Sequence, residues 1–262
     1  MQIGCATRDE HAIGLVKSVG YDYLEFSGKG LVAMTEEEYQ ELKKDLSRTG
    51  LRCECLTAYC PPEIIIAGPG FDPENAADYA KQVAKRAQEL SVCNVSVGSP
   101  FSRNLPEGFD RKLAKEQACR FFEETARVFA PYGITVCVEP LGRCFCNFIN
   151  DLSEAEEIIV RVGAKNLGMV VDFYNMEQNG DADQDLGKYL SVILHAHISD
   201  DAGDPYKRDF MRPEKKEIHQ NRVRRFYEAG YAGRISVEID EPVIREKASS
   251  SLAMLCGAGI SL

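Results

Sequence analysis

The chain reads as an α/β protein, a single-domain (β/α)8 barrel spanning residues 1–262, and three observations point there. Eight short apolar runs alternate with longer amphipathic segments over 262 residues. Four consecutive runs, the fifth to the eighth, end in acid or imidazole side chains: Glu139, Asp172, His197 and Glu238. No linker, repeat or low-complexity block marks a second domain.

The expected strands are Gln2 to Cys5, Tyr21 to Phe26, Arg52 to Leu56, Val92 to Val97, Thr135 to Glu139, Gly168 to Asp172, Ile193 to Ile198 and Ile235 to Ile239. Each is a short run of the length typical of a buried parallel strand. Between them, apolar residues recur at three- and four-residue spacing over Thr35 to Arg48, Pro73 to Leu90, Lys112 to Tyr132, Leu152 to Val162 and His219 to Ala229, which predicts helices. Thr35 with Glu38 and Ser153 with Glu156 have the spacing of capping boxes, and Asp72 stands before Pro73 as a cap before a first-turn proline. Gly20, Gly50, Gly133, Gly163 and Gly230 fall where helices must stop before the next strand.

The alternative to a closed barrel is an open doubly wound sheet. In an open sheet the tips of strands five to eight would spread over roughly 15 Å at the usual strand spacing. In a barrel the same tips face one another, so Glu139, Asp172, His197 and Glu238 converge on one axis. Three carboxylates and one imidazole are a ligand set for a divalent cation. The oxygen-rich, thiolate-free composition argues against a structural zinc site.

Charge and cysteine usage narrow the function classes. The net charge is −10, with 31 basic against 41 acidic residues and no basic stripe, which opposes nucleic-acid and anionic-membrane binding. No apolar run approaches the roughly 20 residues of a membrane span, and Met1 to Cys5 begins without a charged region followed by a long apolar core, so the expected compartment is the cytoplasm. The ten cysteines include Cys53-x-Cys55 and Cys144-x-Cys146, whose single-residue spacing does not suit a zinc knuckle; reduced, structural thiols are expected.

The motifs also carry a family resemblance across nearly the whole chain. Gly20-Tyr21-Asp22-Tyr23-Leu24-Glu25, Gly98-Ser99-Pro100 with Arg103 and Pro106, Glu139-Pro140-Leu141 with Asn147, Asp172-Phe173-Tyr174, His195-x-His197-x-x-Asp200, and Gly230-Tyr231-x-Gly233 leading into Ser236-Val237-Glu238 occur in this order. In that order they resemble the xylose-isomerase-like barrel superfamily of sugar phosphate isomerases and epimerases, with tagatose and allulose 3-epimerases and hydroxypyruvate isomerases among its members.

That resemblance implies Glu139, Asp172, His197 and Glu238 as metal ligands, with manganese first among the expected ions and magnesium, cobalt and zinc as alternatives. It implies proton transfer through a metal-stabilised enediolate, with Glu139 and Glu238 as the acid–base pair. The expected activity is isomerisation or epimerisation of a sugar or related hydroxycarbonyl compound, by a chain that can pair as a homodimer. Two alternatives stand beside it: a metal-dependent lyase or dehydratase on the same barrel, and a non-catalytic sugar-binding subunit.

Candidate substrate contacts are Glu25, Ser99, Arg103, Asn175, His195, Arg208 and Arg212. Glu25 reads equally as a barrel-mouth residue or a buried ion-pair partner, His195 as a packed imidazole beside the ligand His197, and Asn147 as a group that orients Glu139. Two departures from the family pattern bear on the substrate pocket. Asn175 stands where the family has the histidine of Asp-x-x-His, and the segment Asp204 to Pro213 lacks the usual Pro-Gly-x-Gly turn, leaving Arg208 or Arg212 to supply the substrate arginine.

Overall fold

The computed structural model describes residues 1–240 and 242–259 and closes eight parallel strands into a barrel. In chain order the elements are β1 (Gln2–Ala6), α1 (Ile13–Val19), β2 (Tyr23–Ser27), α2 (Gly28–Ala33), α3 (Glu36–Thr49), β3 (Arg52–Thr57), α4 (Pro73–Glu89), β4 (Asn94–Val97) and α5 (Arg111–Phe129). Then follow β5 (Thr135–Val138), α6 (Leu152–Val162), β6 (Leu167–Asp172), α7 (Phe173–Asn179), β7 (Ile193–Ile198), β8 (Asp200–Asp201), β9 (Arg208–Asp209), α8 (Lys216–Glu228), β10 (Arg234–Glu238) and α9 (Arg245–Cys256).

The barrel order is β1-β10-β7-β6-β5-β4-β3-β2, closed by the β1–β2 pair, while β8 and β9 form a small antiparallel hairpin outside it. All eight expected strands are present. The sequence pattern does not announce α2, α7 or the β8–β9 hairpin, which are short, nor α9, whose apolar residues do not recur at a clear helical spacing.

Local chemistry sets most element ends. Thr35 and Glu38 make the expected capping box, and Asp72 accepts from the backbone of Glu74 and Asn75. The α6 start differs from expectation: Asp151, not Ser153, is the cap, accepting from the Glu154 amide, while Glu154 reaches back to the Asn150 amide. Aspartate two residues earlier caps the helix by accepting from the Glu154 amide, so Ser153 is left to donate to Asp151. The five expected glycines all take left-handed backbone at or just past helix ends, where a side chain would strain the turn.

Outside the barrel wall, α4 and α5 pack closely because α4 presents Ala76, Ala80, Ala84 and Ala87 and α5 presents Ala114, Ala118 and Ala126. Tyr59, Tyr79 and Phe121 meet edge-on beneath this pair. The barrel interior is polar by comparison. Tyr23 sits over Gly4, where an added Cβ would lie 2.2 Å from its ring, and its hydroxyl lies 2.9 Å from Ser236 Oγ. All ten cysteines are free, six of them buried. No helix among the described residues is long and apolar enough to cross a membrane.

Candidate metal centre and substrate cavity

Parallel strands in a barrel all end at the same face, so whatever each strand carries at its last residue is delivered to one mouth. Asp172 ends β6, Glu238 ends β10, Glu139 follows β5 directly, and His197 is the penultimate residue of β7. Ligand atoms of these four side chains lie within 4.8 Å of one another, and the side chains are buried or nearly so.

Each ligand is held by neighbours. Asp172 doubles as the cap of α7: Oδ1 accepts from the amides of Tyr174 and Asn175, and Oδ2 accepts from Asn175 Nδ2 at 2.6 Å. Asn175 also accepts from the Gly142 amide, so it braces the β5 and β6 loops together, and it does not line the cavity. Glu238 Oε1 accepts from the Thr57 hydroxyl at 3.0 Å, a contact the sequence pattern missed because β3 was expected to end at Leu56. Fully buried Arg103 donates from Nη2 to the Glu139 carbonyl at 2.6 Å, holding the backbone from which that carboxylate projects.

His197 is oriented from behind. Its Nε2 lies 3.0 Å from Glu25 Oε1, and its Nδ1 lies 3.3 Å from both Glu139 Oε1 and Glu238 Oε2. Glu25 Oε2 is 2.8 Å from His195 Nε2, so this fully buried carboxylate joins two imidazoles across the barrel axis. Burial pushes Glu25 upward, but the two imidazoles outweigh it and hold the carboxyl well below the ordinary range. Glu25 and His195 therefore lie beneath the cluster and outside the cavity lining.

Arg208, from the β8–β9 hairpin, reaches the same cluster. It donates from Nη2 to Asp172 Oδ2 at 2.5 Å, with Nη1 3.1 Å from Glu238 Oε2. Arg212 points elsewhere: its amide donates to Asp200, and its half-exposed guanidinium lies 3.8 Å from Asp201 and Glu214. Asn147 ties its side chain to the backbone of Leu105 and does not approach Glu139.

The electrostatics match a cation site. Burial, followed by the neighbouring Glu238 and Asp172, drives the Glu139 carboxyl up to about 7 against the lowering contact with His197. Burial also opposes ionisation of Asp172, yet Arg208 holds it below its usual range. Burial would discharge His197, but Glu25 and Glu238 raise it well above the ordinary imidazole value. Glu238 Oε2 is buried without a well-aligned hydrogen-bond donor. A crowd of carboxylates around one imidazole fits a divalent ion.

Above the cluster opens a cavity of about 590 Å³. Glu139, Glu238, Arg208, Thr57 and Ser99 lie in its wall, and Phe101, Phe145 and Tyr206 are also part of the lining. Ser99 has φ 46°, and Ala58 and Ile149 are left-handed too; all three lie in loops after β3, β4 and β5 on the face that carries the cluster. Ser99 Oγ accepts from the Cys60 amide, locking the β3 and β4 loops into this shape.

A family model described as xylose isomerase-like TIM barrel matches residues 13–256. An inosose isomerase of Halalkalibacterium halodurans is 26% identical over 233 residues, covering 85% of this chain and 79% of that protein. A 3-dehydro-D-guloside 4-epimerase of Escherichia coli is 28% identical over 200 residues, 71% of each chain. Among solved structures, the apo form of 3-keto-D-glucoside 4-epimerase from Escherichia coli superposes with a TM-score of 0.76 at 19% identity, over 98% of this chain and 99% of that one.

Proposed function

The chain belongs to the xylose isomerase-like TIM barrel family, and from that premise we propose that it is a divalent-metal-dependent isomerase or epimerase of a keto sugar or related hydroxycarbonyl compound. The observation that carries the proposal is the convergence of Glu139, Asp172, His197 and Glu238 within 4.8 Å beneath a cavity open to solvent. The matched relatives act on a ring ketone of a cyclitol or of a glycoside, by their names, which supports a substrate with a carbonyl beside a hydroxyl-bearing carbon.

Glu139, Asp172, His197 and Glu238 would hold the ion, which would supply Lewis-acid polarisation of the substrate carbonyl. The remaining work belongs to side chains. A carbon-bound proton next to a carbonyl leaves as the neighbouring oxygen gains negative charge, so the site needs a base near that carbon and positive charge near that oxygen. Glu139 and Glu238 are the base and its reciprocal acid: both carboxylates are in the cavity wall and belong to the cluster, so a carbon held above it lies within reach of either. Arg208, held charged beside Asp172 and Glu238, places a fixed guanidinium against the developing oxyanion. Thr57 keeps Glu238 turned toward the cluster, and Ser99 offers a hydroxyl in the wall.

The test is proton NMR of ketoses and cyclic keto sugars in heavy water with manganese-loaded protein, beside Glu238→Gln. Deuterium entering next to the carbonyl with the wild type alone supports the proposal. Loss of a group β to the carbonyl instead moves the protein to the lyase reading, and a metal-loaded protein that exchanges nothing in this panel moves the lyase and binding-subunit readings ahead of simple isomerisation. Manganese is the first ion to try, with magnesium, cobalt and zinc as comparisons. A cytoplasmic homodimer is the accompanying expectation, checked by sedimentation and fractionation.

A further inference from the structure

At the closed end of the cavity Glu139 and Arg208 are buried and Glu238 nearly so, while the exposed side chains of Arg8, Lys29 and Lys207 also belong to the wall. At its open end Phe101 is 76% exposed and Tyr206 61% exposed, with Phe145 set edge-on to Tyr206 at 5.9 Å between ring centroids. These three rings come from three separate segments, the turn after β4, the loop after β5 and the tip of the β8–β9 hairpin. The hairpin tip is anchored, since Tyr174 donates its hydroxyl to the Pro205 carbonyl and the Tyr206 amide bonds to Asp204.

Large exposed aromatic side chains gathered at one opening mark a surface meant to be covered. A cavity of about 590 Å³ lies in the range of roughly 300–1,000 Å³ that holds drug-sized ligands, more room than one pyranose ring requires. With the reacting carbonyl at the buried carboxylates, whatever else the substrate carries projects toward the rings. Resting on the isomerase or epimerase reading of the same site, we propose that the substrate is not a free monosaccharide: it is a keto sugar bearing a second ring, aryl or pyranose, whose apolar face stacks on Phe101 and Tyr206. Both kinds of ring present a flat face of C–H or π character to an aromatic side chain.

The experiment uses the full manganese-loaded chain and saturation-transfer NMR titrations with methyl, phenyl and glucosyl 3-keto-β-glucopyranosides. The phenyl or the glucosyl compound should bind about tenfold tighter than the methyl compound, and the larger advantage tells which ring the mouth is built for. Phe101→Ala and Tyr206→Ala should each lower the ratio of ringed to methyl affinity severalfold, with saturation transfer to the second ring weakened selectively. Equal affinities across the three compounds, or no binding by any, would overturn the inference. Proton exchange measured in parallel separates the two readings. Exchange with equal affinities removes the stacking inference alone, whereas tight ringed-ligand binding without exchange removes the isomerase reading alone.

Discussion

Glu25 Oε1 stands 3.0 Å from His197 Nε2, on the side of the imidazole opposite the carboxylate cluster. An ionised carboxylate only accepts, so this contact places the Nε2 proton toward Glu25 and turns Nδ1 toward Glu139 and Glu238. Glu25→Gln puts an amide NH2 against an imidazole N–H of His195 or His197. The expected outcome is a manganese affinity lowered about 10- to 100-fold, read by calorimetric titration, in a protein that still melts cooperatively. Unchanged affinity would mean that His197 is oriented by the cluster itself.

Gly98 gives Glu139 its place. A Cβ there would lie 2.6 Å from Glu139 Oε2, and Gly98 has no left-handed backbone to strain. Because the far end of a side chain can swing aside, Gly98→Ala should fold with a stability loss of about 1–3 kcal/mol, yet displace the carboxylate. Deuterium exchange should fall at least tenfold, consistent with the sensitivity of proton transfer to positioning. A variant with full exchange would show that Glu139 acts from another rotamer.

Asp200 anchors the hairpin side of the barrel: it accepts from the Arg212 amide and from His219, with Lys215 2.9 Å away. Burial would raise its carboxyl, but these partners lower it from 3.8 to about 2. A depressed folded-state value contributes stability that is fully present above the unfolded value and is lost as pH falls through the folded one. The stability gap between wild type and Asp200→Asn, measured by urea unfolding, should be constant above about pH 4.5 and close between pH 4 and pH 2. A gap that persists unchanged to pH 2 would mean the hydrogen-bond geometry, not the charge, matters there.

Cys93 differs from the buried thiols around it. A hydrogen bond from Cys55 lowers it, burial opposes, and the Arg234 guanidinium lowers it further, to about 7. Burial pushes Cys53, Cys55 and Cys137 upward. Iodoacetamide at pH 7.5 should alkylate Cys93 ahead of the exposed Cys144 and Cys256, both of which are raised. Peptide mass spectrometry reads the order, and Arg234→Met should slow Cys93 several-fold.

Much of this molecule was legible in the chain because it depends on neighbours in sequence. The eight strands followed from apolar runs, the Thr35–Glu38 cap and the five terminal glycines from turn chemistry, and the convergence of Glu139, Asp172, His197 and Glu238 from their position at strand ends. A strand tip is placed by its own strand, and barrel closure brings all tips to one face.

Other features were set only by tertiary packing. Arg208 rather than Arg212 reaches the cluster because the hairpin folds back over the mouth. Glu25 and His195 meet because β2 and β7 face each other across the axis. Arg103 and Asn175 brace loops instead of lining the cavity, and Phe101, Phe145 and Tyr206 assemble from three segments. Residues far apart in sequence share a site only through the closed barrel and its docked loops, and no local periodicity encodes the direction in which a loop side chain turns. The sequence by itself thus determined the barrel and the residues delivered to its mouth; the folded structure decided what supports them and how wide the mouth opens, because those contacts exist only once the barrel has closed.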